Sequence, residues 1–120
     1  MTQTLRLTRR DLSRLEIGLA LDAEIEECLD SPDSRRRLRL IRYLADRLDS
    51  AARRMTTHQR ISLSNVTADP AHWAVLESAA RAFLHAVPNA LGWATMQDID
   101  REIVRGEKLL SAIARARGES

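Results

Sequence analysis

The chain has 120 residues, of which 44% are hydrophobic and 30% charged, and its formal net charge is only +2. This composition is typical of one folded domain of ordinary size and excludes an intrinsically disordered chain. Because 19 basic residues nearly balance 17 acidic ones, the total charge does not by itself indicate a polyanionic partner.

The first predicted helix covers about residues 8–30. Thr8 and Asp11 form a capping-box pattern at its start, and Ser31-Pro32 ends it because proline disfavours helix at the preceding residue. One apolar face in the first half of this helix is assigned to the core and consists of Leu12, Leu15 and Leu19.

The second half of that helix carries a different apolar face. Ile17, Leu21 and Ile25 lie roughly 140° from the first face, at about 100° per residue. Either the helix bends near Gly18, which would turn both faces inward, or it packs between two neighbouring helices, or the second face is an interface, most simply that of a homodimer. Cys28 belongs to the second face, and we expect its thiol to be buried and unreactive.

The second predicted helix covers about residues 33–55, with Ser31 or Asp33 as its cap and Pro32 in its first turn. Apolar side chains at spacings of three and four predict a packing seam formed by Leu38, Ile41, Ala45, Leu48, Ala52 and Met55. The opposite face combines arginines with a tyrosine and a leucine, and Tyr and Arg are enriched in protein-binding hot spots. We expect this face to bind another protein, the alternative being a solvated surface; its residues are Arg36, Leu40, Tyr43, Arg47 and Arg54.

Residues 56–68 are mostly polar, and we expect an ordered loop there that includes at most a short helical turn. The third predicted helix covers about residues 70–87, between the Asp69-Pro70 cap and Pro88-Asn89. It is apolar around most of its circumference, which is typical of a central helix, and its seam is Trp73, Leu76, Ala80, Phe83 and Val87.

The fourth predicted helix covers about residues 96–116 and is capped by Thr95 with Asp98. The third helix also has a small-residue stripe, and we expect Gly106 of the fourth helix to approach it closely. The stripe consists of Val75, Ala79, Ala82 and Ala86. The elements predict an all-α fold, a four-helix bundle made of two helical hairpins joined by the loop at about 56–68, in one domain spanning residues 1–120.

Charge is distributed unevenly around the Ser31-Pro32 corner. Residues 22–33 carry six acids and no base, whereas residues 35–60 carry nine arginines and two acids. In an antiparallel hairpin the two blocks face each other, so we expect Glu24, Glu26, Glu27 and Asp30 to pair with Arg35, Arg36, Arg39 and Arg42. Such pairing leaves little positive surface for a nucleic acid. The alternative is a nucleic-acid-associated regulator that uses Arg36, Arg39, Arg47, Arg53, Arg54 and Arg60.

No catalytic or metal-binding motif is recognisable. His58, His72 and His85 lack the spacing of metal ligands, and neither a nucleophile elbow nor a glycine-rich phosphate loop occurs. Cys28 is the single cysteine, so an internal disulfide and a cysteine metal cluster are excluded. We therefore expect a non-enzymatic protein without cofactor or metal.

The chain carries no pattern that directs it to a membrane or out of the cell. No run approaches the 18 apolar residues of a membrane span, and "MTQTLRLTRRDL" lacks the apolar core of a signal peptide, so we expect a cytoplasmic protein. Only Lys108 among the basic residues is a lysine, a bias typical of GC-rich coding in bacteria and phages. The predicted function is that of a small adaptor, inhibitor or regulatory subunit, of bacterial or phage type, that binds another protein and forms a homo-oligomer, most simply a dimer.

Overall fold

The structure, a computed structural model, describes residues 5–56, 59–67, 69–90 and 95–118. The predicted all-α class is confirmed, because long helices that pack on one another account for most of these residues. In chain order the elements are β1 (Arg6–Thr8), α1 (Arg9–Leu29), α2 (Pro32–Arg54), β2 (Arg60–Ser62), α3 (Leu63–Val66), α4 (Pro70–Ala90) and α5 (Met96–Gly118).

The predicted helix starts are confirmed by their capping hydrogen bonds. Thr8 Oγ1 accepts from the Asp11 backbone N–H at 3.2 Å, and Asp11 Oδ2 accepts in return from the Thr8 N–H at 3.1 Å. The side chains of Ser31, Asp69 and Thr95 cap α2, α4 and α5 in the same way, each accepting from a backbone N–H two or three residues later. Short polar side chains therefore set where each long helix begins.

The predicted end of α4 at Pro88-Asn89 is wrong, because α4 continues through Pro88 to Ala90. Proline lacks the N–H that would donate to the carbonyl four residues earlier, and in the middle of a helix this loss breaks the helix. Here Pro88 lies in the last turn, where only two helical residues follow it, so α4 loses little helical hydrogen bonding. The linker residues 91–94, including Trp93, lie outside the described residues.

The core is organised around a close crossing of α1 and α4. Each of these helices packs on two others, α1 on α2 and α4, and α4 on α1 and α5. A Cβ atom added to Gly18 would overlap the backbone carbonyl of Ala79, so the small-residue stripe of α4 meets α1. Gly106 also lies close to α4, but its nearest neighbours are the side chains of Leu84 and Phe83. The predicted contact of Gly106 with the small-residue stripe is therefore wrong.

A two-stranded antiparallel ribbon, formed by β1 before α1 and β2 after α2, is absent from the sequence-based prediction. In β1 and β2, Leu7 pairs with Ile61 and Thr8 pairs with Arg60. Leu7 is buried in the core, whereas Arg60 is exposed. Three-residue strands are too short to produce a readable alternation, and their pairing joins segments more than 50 residues apart along the chain.

Candidate functional site

An apolar surface remains uncovered along the second half of α1. We call Ile17, Leu21, Ile25 and Leu29 the α1 face. Ile17, Ile25 and Leu29 are 47%, 57% and 63% exposed, while Leu21 is half-buried. The second apolar face of the first helix therefore lies outside the core. The predicted burial of Cys28 is wrong, because its side chain is exposed on the same stretch of helix.

A groove of about 520 Å³ borders the α1 face, between α1 and α4. Its lining includes the apolar side chains of Leu21 and Ile25 from α1 and two alanines from α4. The two walls differ in charged groups, since α1 supplies the carboxylates of Asp22 and Glu24 and α4 supplies the guanidinium of Arg81. The lining residues are Leu21, Asp22, Glu24, Ile25, Ser78, Arg81, Ala82, His85 and Ala86.

Hydrogen bonds hold the polar side chains of this groove in position. Ser78 Oγ donates to Asp22 Oδ2 at 3.0 Å, which ties the two walls together at one end. Burial raises the pKa of Asp22, and the Ser78 hydrogen bond and the charge of Arg37 only partly oppose that rise. On the α4 wall, Arg81 donates to the buried carboxylate of Glu77 at 2.8 Å, which limits the positions open to its guanidinium. Polar groups that are already ordered lose less conformational entropy when a partner binds.

Ion pairs join α1 to α2 across the Ser31-Pro32 corner, as the opposed charge blocks predict. Arg35 pairs with Asp30, Arg37 with Glu26 and Arg42 with Glu27, each at an N···O distance of 3.4 Å. The predicted set is wrong in three members. Arg36 contacts only Asp33 of its own helix at 3.9 Å, Arg39 makes no ion pair with a described acid, and Glu24 lines the groove instead.

The predicted partner surface on α2 is partly used inside the molecule. Arg47 Nε donates to the carbonyl oxygen of Val66 at 2.9 Å, so this arginine supports the end of α3. Leu40 packs against the core. Tyr43 is half-exposed, and its ring meets the edge of the His72 ring with centroids 5.7 Å apart. Arg36 and Arg54 are exposed.

Two arginines of the nucleic-acid alternative are engaged inside the molecule. Arg47 is bonded to Val66, and Arg53 pairs with Asp49 at 3.0 Å. Arg36 and Arg54 lie 18 residues apart on α2, which corresponds to about five helical turns, so they share one face about 27 Å apart along the axis. Arg39 lies near the first of these positions, and Arg60 lies in the ribbon beyond the second.

The histidines fall into different environments. His72 is held by a 2.6 Å hydrogen bond between its Nδ1 and Thr67 Oγ1, and its Nε2 lies 3.4 Å from Asp69 Oδ2. His85 lines the groove, and His58 lies outside the described residues. Within the described ranges, no three His, Cys, Asp or Glu side chains are grouped so that they could hold a metal ion.

Sequence reasoning missed the most buried arginine. Arg14 has a side chain only 6% exposed, and it donates to Glu102 through Nε at 2.8 Å and to Asp11 through Nη1 at 2.8 Å. The Arg14 hydrogen bond holds the pKa of Glu102 below its usual value, although burial opposes that change. The i to i+3 spacing of Asp11 and Arg14 is a readable signal of a local pair, but the approach of Glu102 from α5 is not.

The helices of the described segments do not combine the length and hydropathy that crossing a membrane requires. Comparison with known protein families, with curated proteins and with solved structures finds no match to this chain.

Proposed function

We propose that this chain is a non-enzymatic protein-binding module that pairs with a second copy of itself through the α1 face and the adjoining groove. The observation that carries the proposal is the row of exposed apolar side chains at Ile17, Ile25 and Leu29 beside that groove. The row extends over twelve residue steps, about 18 Å along the helix, and contiguous apolar surface of this kind marks interaction sites in soluble proteins.

The charges of the groove favour a second copy over an unrelated peptide. The α1 wall carries the carboxylates of Glu24 and Asp22, and the α4 wall carries the guanidinium of Arg81, which also binds Glu77. In a two-fold dimer the same patch is used on both chains, so the acidic wall of each copy can meet the basic wall of the other. A uniformly basic or acidic peptide would satisfy one wall and be repelled by the other.

Replacing Ile25 with Arg tests this interface. We expect the wild-type protein to have twice its chain mass of 13.6 kDa in light scattering and to dissociate on dilution. Ile25→Arg should have the mass of one chain, because it places an unpaired charge at the centre of an apolar contact. The matched control is Val104→Arg on α5, since Val104 is also an exposed apolar residue at 50% exposure and should leave the dimer intact.

Cys28 provides a second readout of the same contact. Its exposed thiol should react with a thiol reagent more slowly as the protein concentration rises, because the partner would cover that part of α1. In Ile25→Arg the reaction rate should not depend on concentration. A wild-type protein that has the mass of one chain throughout the dilution series would refute the proposal, as would equal dissociation by Val104→Arg.

For a partner of different sequence, we propose the outer face of α2, where the module would act as an adaptor, inhibitor or regulatory subunit. Tyr43 supports this choice because it is half-exposed and its ring is steadied by His72, which is itself bonded to Thr67. An aromatic anchor that is ordered before binding loses little entropy on association. The exposed guanidinium of Arg36 on the same face suits an acidic protein surface.

Site-specific photo-crosslinking in the cells from which the chain comes tests this second surface. A photoreactive amino acid in place of Tyr43 should crosslink to a discrete protein other than the chain itself, since the probe would lie within the contact. The same amino acid at Val104, which is equally exposed on α5, should give no such product. Identical products from both positions, or none from position 43, would rule out the α2 surface.

A further inference from the structure

The tertiary structure brings exposed arginines together at the end of the bundle opposite the Ser31-Pro32 corner. Arg60 of β2 is the register partner of Thr8, which directly precedes Arg9 and Arg10 of α1. Arg6 pairs with Ser62 two residues further along the ribbon. Paired residues of an antiparallel ribbon point to the same side, so Arg6 and Arg60 share the face opposite Leu7 and Ile61. We call Arg6, Arg9, Arg10 and Arg60 the ribbon cluster.

Little negative charge in the described chain offsets the ribbon cluster, although the charge of Arg10 helps the Arg14 hydrogen bond to lower the pKa of Glu102. All four side chains are exposed, and none forms an ion pair with an acidic side chain in the part that the structure describes. The acids nearest to Arg10 are already occupied, because Asp11 and Glu102 both bind Arg14. Asp98 in the first turn of α5 is bonded to Thr95. At the proline corner, by contrast, Arg35, Arg37 and Arg42 pair with acids across the corner.

The chemistry of the cluster fits a phosphate backbone better than a protein surface. Guanidinium groups form bidentate, charge-assisted hydrogen bonds with phosphate oxygens. The apolar ribbon residues Leu7 and Ile61 face the interior, so the cluster offers charge without the aromatic or apolar anchor that protein hot spots use. Aromatic side chains for stacking single-stranded bases are also absent from the ribbon, which favours a duplex.

We propose that the ribbon cluster binds the phosphodiester backbone of a nucleic-acid duplex without reading its sequence. This site differs from the arginines that sequence alone would select, since it omits Arg36, Arg39 and Arg47 and includes Arg6, Arg9 and Arg10. It does not depend on the dimer, although a two-fold dimer would present two such clusters.

Fluorescence anisotropy with a labelled DNA duplex of mixed sequence tests the site in the full-length protein. At physiological salt we expect a dissociation constant in the range of about 10⁻⁴ to 10⁻⁶ M that is typical of non-specific binding, and tighter binding at about 50 mM salt. With four phosphates contacted per chain, a plot of the logarithm of the binding constant against the logarithm of the salt concentration should have a slope of about −3.6. The binding constant should therefore fall about 150-fold between about 50 and 200 mM salt.

The decisive comparison is between two quadruple variants that remove the same charge. The variant with Arg6, Arg9, Arg10 and Arg60 changed to Gln should show no measurable binding at about 50 mM salt, where the wild-type protein binds. The control with Arg36, Arg39, Arg54 and Arg115 changed to Gln should bind within a few-fold of the wild-type protein. Changing the four cluster residues to Lys instead should keep the salt slope, which separates loss of charge from loss of folding.

Three results would overturn the proposal: no binding by the wild-type protein at about 50 mM salt, an equal loss in the control variant, or tighter binding of polyglutamate than of the duplex at equal charge concentration. An RNA duplex of the same sequence distinguishes the two sources of phosphate backbone, and similar affinity for both is expected from contacts to phosphate alone. Ile25→Arg should keep the salt dependence of DNA binding per chain, because Ile25 lies outside the ribbon cluster. A protein that does not dimerise can therefore still bind the duplex, and failure of the dimer is distinguished from failure of this site.

Discussion

Gly18→Ala should lower the free energy of unfolding by about 2–3 kcal/mol, although alanine is the better helix former by about 1 kcal/mol. The added Cβ atom would overlap the backbone carbonyl of Ala79, and a backbone group cannot move without shifting α4 as a whole. Separating the two central helices would loosen contacts along both. Urea denaturation followed by circular dichroism measures the difference.

Gly106→Ala is the matched control for that experiment. A Cβ atom there would lie 2.6 Å from Cδ2 of Leu84, which is the end of a flexible side chain that can change rotamer. The gain in helix propensity and the cost of that adjustment should nearly cancel, to within about 1 kcal/mol. If Gly18→Ala were as stable as Gly106→Ala, the close crossing of α1 and α4 would be wrong.

Arg14→Met should lower the free energy of unfolding by about 3 kcal/mol near neutral pH, because it leaves two largely buried carboxylates without their cation. The side chains of Asp11 and Glu102 are only 22% and 28% exposed, so water replaces the guanidinium poorly. The matched control is Arg36→Met, since the side chains of Arg36 and its partner Asp33 are 79% and 91% exposed. That exposed pair should contribute less than about 0.5 kcal/mol.

The effect of Arg14→Met should shrink in acid. Arg14 holds the pKa of Glu102 below its usual value, so the stability that this pair contributes is present above the unfolded pKa, about 4.3, and is lost as the pH falls through the lower folded pKa. Burial raises the pKa of both Glu16 and Asp22, so their contributions to stability change with pH in the opposite sense. Because the wild-type protein and Arg14→Met both contain these two residues, the contributions cancel in the difference between the two proteins. Urea titrations in steps from about pH 7 to about pH 3 measure the difference. A difference that stays constant over that range would contradict the assigned role of Arg14.

The sequence alone determined the local features of this protein. The capping side chains Thr8, Ser31, Asp69 and Thr95 mark their helix starts because a cap acts on backbone groups only two or three residues away. The seam of α4, from Trp73 to Val87, was readable for a related reason, since spacings of three and four place side chains on one face whatever the neighbouring helix is. The same reasoning picked out Ile17 and Ile25 as a face separate from the core.

Only the tertiary structure decided which surfaces are formed by residues far apart in the chain. The pairing of β1 with β2 assembles the ribbon cluster from Arg60 and the arginines before and within the first turn of α1. The crossing at Gly18 leaves the groove between α1 and α4, and Glu102 reaches Arg14 across 88 positions. No local pattern records these contacts, because each depends on how whole helices are oriented once their apolar seams are buried.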